Sequence, residues 1–214
     1  MKEKQRLLVL YGVNCTKEIW SRLSPCLKDF QVDYVEYPHD ITQNANTIDD
    51  ITKWVFGEYH NNSYYAVIGH SMGGLIALQL AVKYKMEFEK VIYIDTNLKP
   101  AEAFYRNLMT PEHMEMYGSD VTAMFREEQK YYSQELMKSI QEDFDYTGYL
   151  KEIPNKVYAI YGDRNRSEYE NKISDLNISD ETLERLELHY VSNACHMIMM
   201  ENPKGLWEEM RKIL

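Results

Sequence analysis

The stretch Val67-Ile68-Gly69-His70-Ser71-Met72-Gly73-Gly74 decides the reading of this chain. An apolar, β-rich run from Tyr64 to Ile68 leads into it, and a helical run from Leu75 to Ala81 follows without a linker. Strand, hinge and helix therefore meet at one serine. Gly69 and Gly73 flank Ser71 at the spacing of a nucleophile elbow, where the turn is so tight that flanking side chains would collide. Such a turn holds the Ser71 hydroxyl out at the carboxyl end of a strand, strains the serine backbone and sets a helix N-terminus beneath it. Met72 then offers its backbone N–H to an oxyanion. The string alone is a weak signal; between a predicted strand and a predicted helix it is a specific one.

Working outward, Leu7-Leu8-Val9-Leu10-Tyr11 is a continuous apolar run, the mark of a strand buried on both faces of a parallel sheet. Gly12-Val13-Asn14 breaks it, and a helix is expected from about Lys17 to Lys28, with Ile19, Trp20, Leu23 and Leu27 at helical spacing. A strand over 31–37 ends at Pro38, and a polar loop runs to Thr47, a helix N-cap for the stripe Ile48, Ile51, Trp54, Val55. Further strands are expected over 90–95, 155–161 and 186–191, the last alternating like an edge strand, before a terminal helix over 204–214. This rhythm predicts an α/β fold, a doubly wound and mostly parallel sheet of about six strands with its ligand site at the carboxyl strand ends. One segment breaks the rhythm. Residues 98–150 are helical in pattern and rich in Met and aromatics, including Met114, Met116, Tyr131 and Tyr132, with no β-like run. They are expected to form a cap inserted into a core of 1–97 and 151–214.

Composition narrows the partners. In 214 residues that are 44% hydrophobic the chain can bury one sizeable core. A net charge of -10 with no basic cluster argues against nucleic acid. Three cysteines, Cys15, Cys26 and Cys195, show neither paired nor metal-ligand spacing, which fits a reducing compartment. The run from Met1 to Tyr11 is too short in apolar length for a signal peptide or a membrane span. A cytoplasmic protein without membrane association is expected, with no metal or other cofactor, and with its oligomeric state open.

A serine hydroxyl needs a base, and the base needs a third group to orient it. Of six histidines, His196 is the best placed: it follows the last strand in Val191-Ser192-Asn193-Ala194-Cys195-His196, on the Ser71 side of the sheet. His70 belongs to the elbow and is expected to point away, while His39, His60, His113 and His189 read as surface or cap residues, with a substrate contact open for His113.

These pieces resemble the α/β-hydrolase fold superfamily. Leu10-Tyr11-Gly12-Val13 is similar to its first loop, which implies Val13 N–H as the second oxyanion donor beside Met72; Gly69 to Gly74 resembles its elbow; Asn193 to His196, followed by Glu201-Asn202-Pro203, resembles its terminal region. Beside larger relatives the first two strands are expected to be missing. The resemblance implies fold, Ser71 and His196, and is nearly silent on substrate. It also implies an acid three residues after the glycine ending the penultimate strand, and here Gly162-Asp163-Arg164-Asn165 puts an amide there. Three solutions stand, in this order: Asp95 at the end of the preceding strand, as in certain haloalkane dehalogenases and cofactor-free dioxygenases, then Asp163, then Asn165.

The function expected from this set is a serine hydrolase cleaving a small, largely apolar carboxylic ester or thioester through an acyl-enzyme. Two other readings remain open: C–C cleavage or lyase chemistry on the same scaffold, and a small-molecule receptor without turnover. An arginine pair facing the pocket would favour an anionic substrate, and Arg106 and Arg126 are the arginines placed for it.

Overall fold

The computed structural model describes residues 4–142 and 144–214. Its centre is one sheet of six strands: β1 (Arg6–Leu10), β2 (Gln31–Tyr34), β3 (Ala66–His70), β4 (Lys90–Ile94), β5 (Val157–Gly162) and β6 (Leu186–Val191). They lie in the order β2-β1-β3-β4-β5-β6, every neighbouring pair parallel. Helices cover both faces, so β3 is buried along its whole length and β1 and β4 at all but their first residue. That burial is why these strands read as unbroken apolar runs. The chain leaves β1 towards one edge and returns on its other side as β3. The carboxyl ends of β1 and β3 thus form the switch point, where a crevice opens in a sheet of this kind.

The helices are α1 (His39–Asn44), α2 (Ile48–Tyr59), α3 (Met72–Val82), α4 (Pro111–Glu128), α5 (Gln134–Ser139), α6 (Thr147–Glu152), α7 (Asp180–Leu183), α8 (Ile198–Glu201) and α9 (Pro203–Ile213). Thr47 starts α2 in a capping box with Asp50, whose Oδ2 accepts from Thr47 N at 2.9 Å. α3, directly behind the elbow, is buried at every residue but Ala81, which explains its lack of an apolar stripe. α9 buries Leu206, Met210 and Ile213 at helical spacing and is opened by Asn202, whose Oδ1 accepts from Gly205 N at 2.9 Å.

Three expectations are corrected. The helix over 17–28 is instead two 3-10 turns, Lys17–Trp20 and Ser24–Leu27. Pro25 has no N–H for a continuing helix, although Ile19, Trp20, Leu23 and Leu27 are all buried as the spacing requires. β2 stops at Tyr34 rather than 37, and the polar loop after Pro38 contains α1. Between β4 and β5 the described residues form helices and 3-10 turns joined by loops, with no strand, but the Met and aromatic side chains divide: Tyr105 and Tyr132 are buried, whereas Met114 and Met116 are 40% and 49% exposed. Among the described residues no helix is long and apolar enough to cross a membrane. Met1 to Glu3 of the N-terminal run lie outside the described residues.

Candidate active site

Ser71 sits between β3 and α3 with φ 54° and ψ -123°, a backbone conformation rare for any residue with a Cβ. The turn closes so tightly that a Cβ on Gly69 would lie 2.1 Å from the carbonyl oxygen of Gly73. β4 supplies the brace. Ser71 N donates to Ile94 O at 3.0 Å, and Thr96 Oγ1 donates to Ser71 O at 2.9 Å. Across the switch point, the loop after β1 approaches so closely that a Cβ on Gly12 would lie 2.7 Å from Ser71 Cβ. Neither Val13 N–H nor Met72 N–H donates to another group among the described residues.

The residue that faces His196 is Asp95, at the end of β4. His196 Nδ1 lies 3.0 Å from Asp95 Oδ1. An ionised carboxylate can only accept, so Nδ1 is the donor and Nε2 is left with its lone pair. Asp95 is fully buried, with φ 43°. Arg164 grips it with both arms of its guanidinium: Nη1 donates to Oδ2 and Nη2 to Oδ1, each at 2.7 Å, and Gly162 N donates to Oδ2 at 3.0 Å. Burial alone would raise the Asp95 pKa; the charge of Arg164 and the hydrogen bonds from His196 and Arg164 outweigh it and hold the group well below the usual carboxylate range. Arg164 is in turn fixed by Phe104 O, which accepts from Nε at 3.1 Å, and by Gly162 O, which accepts from Nη1 at 2.6 Å. The other two acid candidates lie elsewhere. Asp163 Oδ1 accepts from Asn165 N at 2.8 Å and Asn193 N at 2.9 Å, tying two loops together, and Asn165 is exposed.

Two groups already noted in the sequence, Glu201 and His113, hold the His196 loop, a role that their positions in the sequence did not indicate. Glu201, on α8, accepts from Cys195 N through Oε2 at 2.7 Å and from Thr110 N through Oε1 at 2.8 Å. His113 Nδ1 lies 3.3 Å from the same Oε1 and 3.0 Å from Thr110 Oγ1, so of the surface and cap placements expected for it the surface one is excluded: it is a buried residue of α4, within 98–150. His70, expected to point away, is fully buried: its ring leans on that of His196 at 4.6 Å, and its Nε2 lies 2.9 Å from the carbonyl oxygen of His196. Burial first, and then the neighbouring His196, push the His70 pKa down to about 3, so the ring stays neutral and Nε2 carries the donated proton. Burial and Glu201 push the Cys195 thiol up to about 12, which leaves it unreactive. Ser71 Oγ and His196 share no hydrogen bond among the described residues.

A cavity of about 470 Å³ opens at Ser71. Its apolar lining includes Val13, Met72 and Leu75 together with Ile140 and Phe144 from the segment between β4 and β5. Besides Ser71 and Asp95 its polar lining is Asn97, Arg106 and Gln141; Arg126 does not border it. Among the described residues no cluster of three or more His, Cys, Asp or Glu is arranged to hold a metal ion.

Residues 42–146 match a family model described as esterase. Among solved structures the chain is similar to a thermophilic esterase from Thermogutta terrifontis with malate bound, at 15% identity and a TM-score of 0.74, covering 99% of this chain and 89% of that one. A lipase-esterase related protein from Clostridium acetobutylicum aligns at 19% identity and a TM-score of 0.67, over 100% of this chain and 96% of that one. MenH from S. aureus aligns at 16% identity and a TM-score of 0.68, over 100% and 94%. No curated protein matches the chain in sequence.

Proposed function

We propose that this protein, whose fold is that of the α/β-hydrolases, is a cytoplasmic serine hydrolase that cleaves a small carboxylic ester or thioester through an acyl-enzyme on Ser71. The observation that carries this reading is the 3.0 Å approach of His196 Nδ1 to Asp95 at the same carboxyl end of the sheet as a strained serine at the head of α3. Asp95 fixes the imidazole tautomer, so that Nε2 is free to take a proton.

In the proposed sequence Ser71 Oγ attacks the acyl carbonyl while His196 Nε2 takes its proton. The carbonyl oxygen becomes an oxyanion and receives the N–H groups of Val13 and Met72, each contributing roughly 3 kcal/mol in sites of this kind. His196 returns the proton to the departing alcohol or thiol. A water, deprotonated by His196, then attacks the acyl-enzyme and releases the acid and Ser71. Catalytic hydrogen bonds often tighten only around substrate, which fits the open Ser71–His196 pair. Residues 98–150 act as the cap of this site and supply part of its apolar lining. Asp163, engaged by two backbone N–H groups, and exposed Asn165 are structural in this reading.

A fluorophosphonate probe read by intact mass tests the assignment. One adduct is expected on the wild type and none on Ser71→Ala, with labelling slowed at least about 100-fold in His196→Ala and Asp95→Asn and near wild type in Asp163→Asn. A folded wild type that stays unlabelled would instead favour a receptor or non-hydrolytic use of the pocket.

A further inference from the structure

Three polar side chains that line the cavity, Asn97, Arg106 and Gln141, have groups that no other part of the protein engages among the described residues. Arg106, the last residue of the 3-10 turn Ala103–Arg106, is anchored by Nε, which donates to Ala101 O at 2.7 Å. Its two terminal nitrogens make no hydrogen bond and meet no carboxylate among the described residues. Arg106 is exposed, so these nitrogens face solvent at the mouth of the cavity. Of its other arginines, Arg6, Arg164 and Arg211 are paired with carboxylates, Arg22 and Arg166 lie over aromatic rings, and Arg185 donates to backbone oxygens. Arg126 also stands alone, but it does not border the cavity.

Around the cavity the remaining formal charge is already spent, since Asp95 is held by Arg164 and His196. Asn97, two residues after Asp95, and Gln141 border the same space, and neither side chain makes a hydrogen bond among the described residues. One free guanidinium fork and two free amides therefore share a cavity with Ser71. A guanidinium presents parallel N–H groups matched to a planar carboxylate, a fit that the exposed Arg106 and Gln141 and the half-buried Asn97 can offer at the cavity mouth.

We infer that the natural substrate is a short ester or thioester bearing a carboxylate, bound by Arg106 with Asn97 and Gln141 while Ser71 attacks the acyl carbon. This deepens the hydrolase reading and rests on it for the reaction. It also narrows the largely apolar substrate expected from the sequence to one that is apolar along its chain and anionic at its end.

The test compares kcat/KM for monoethyl glutarate with that for ethyl pentanoate, of equal acyl length, by pH-stat, and adds pentanoyloxyacetate, whose carboxylate lies in the alcohol part. The wild type is expected to prefer one of the anionic esters by at least about 10-fold, and the better of the two tells which part of the substrate faces Arg106. In Arg106→Gln that preference falls to about unity, mainly through KM, while Arg106→Lys keeps part of it. Equal rates on anionic and neutral esters, or a preference untouched by Arg106→Gln, overturn the inference. If no ester is cleaved the hydrolase reading fails separately, and the anion site is still tested by titrating glutarate and inorganic phosphate into wild type and Arg106→Gln. Glutarate binding lost in the variant supports the site. Absence of glutarate binding, or a preference for phosphate over glutarate, sinks it.

Discussion

Asp95 has two partners with opposite consequences. Towards His196 it is an orienting acceptor; towards Arg164 it is half of a buried ion pair, with side chains 0% and 1% exposed. Removing one member of such a pair leaves an uncompensated charge, which costs about 3–5 kcal/mol, whereas removing both with shape retained can be nearly neutral. Arg164→Met is therefore expected to destabilise the protein by about that amount in urea unfolding. The double variant Asp95→Asn/Arg164→Met regains most of it, yet its kcat stays down by about 10⁴-fold, the loss expected when the orienting carboxylate becomes an amide. Additive losses of stability in the double variant would show that the pair is not the unit of stabilisation. This residue-scale arrangement was only partly legible in the sequence. Ser71 and His196 are marked by local patterns, but the acid remained open among three residues because facing His196 is a property of two strand ends 101 positions apart. Arg164 stood next to a candidate acid, and nothing local indicated that it would reach the other one.

At the scale of elements, the central strands β1, β3 and β4 were legible because burial on both faces writes itself as an apolar run, and α2 because its cap and stripe coincide at Thr47 and Ile48. The turns after β1 were not, since Pro25 interrupts a helical spacing whose apolar positions are correct. Glu201 shows what such patterns cannot carry. A single buried carboxylate joins α8, the first turn of α4 and the loop that carries His196. In Glu201→Gln one oxygen becomes an NH₂ group that opposes an N–H donor, so a loss of about 1–3 kcal/mol is expected together with a kcat lowered roughly 10-fold as His196 loosens. Thr47→Ala is the contrasting change. It removes the α2 cap, costs about 1 kcal/mol and leaves kcat unchanged, because α2 borders neither Ser71 nor its cavity. Calorimetry and initial rates on both variants decide the point: equal kcat values for the two would detach Glu201 from the site.

Over the whole molecule one apolar core runs from the sheet into the segment between β4 and β5, and a neutral histidine is buried within it beside the site. His70 titrates near 6.5 when unfolded but only at about 3 in the fold. Between those values the unfolded chain binds a proton that the folded one refuses, so the contribution of His70 to stability is intact above about pH 6.5 and is lost progressively as pH falls towards 3, by up to about 1.4 kcal/mol per unit. Asp95 acts in a different window. Its lowered pKa favours the fold above the ordinary carboxylate range, and that contribution is lost only at lower pH, as the folded value is approached. Unfolding free energies in urea at about pH 7.5, 6.5, 5.5 and 4.5 should therefore fall with pH in the wild type. His70→Gln keeps an amide donor for the carbonyl oxygen of His196 and removes the titration, so its profile should be flatter over the same range. Parallel slopes for the two proteins would mean that the acid sensitivity arises elsewhere, and the role of His70 as an uncharged brace of the His196 loop would lose its support.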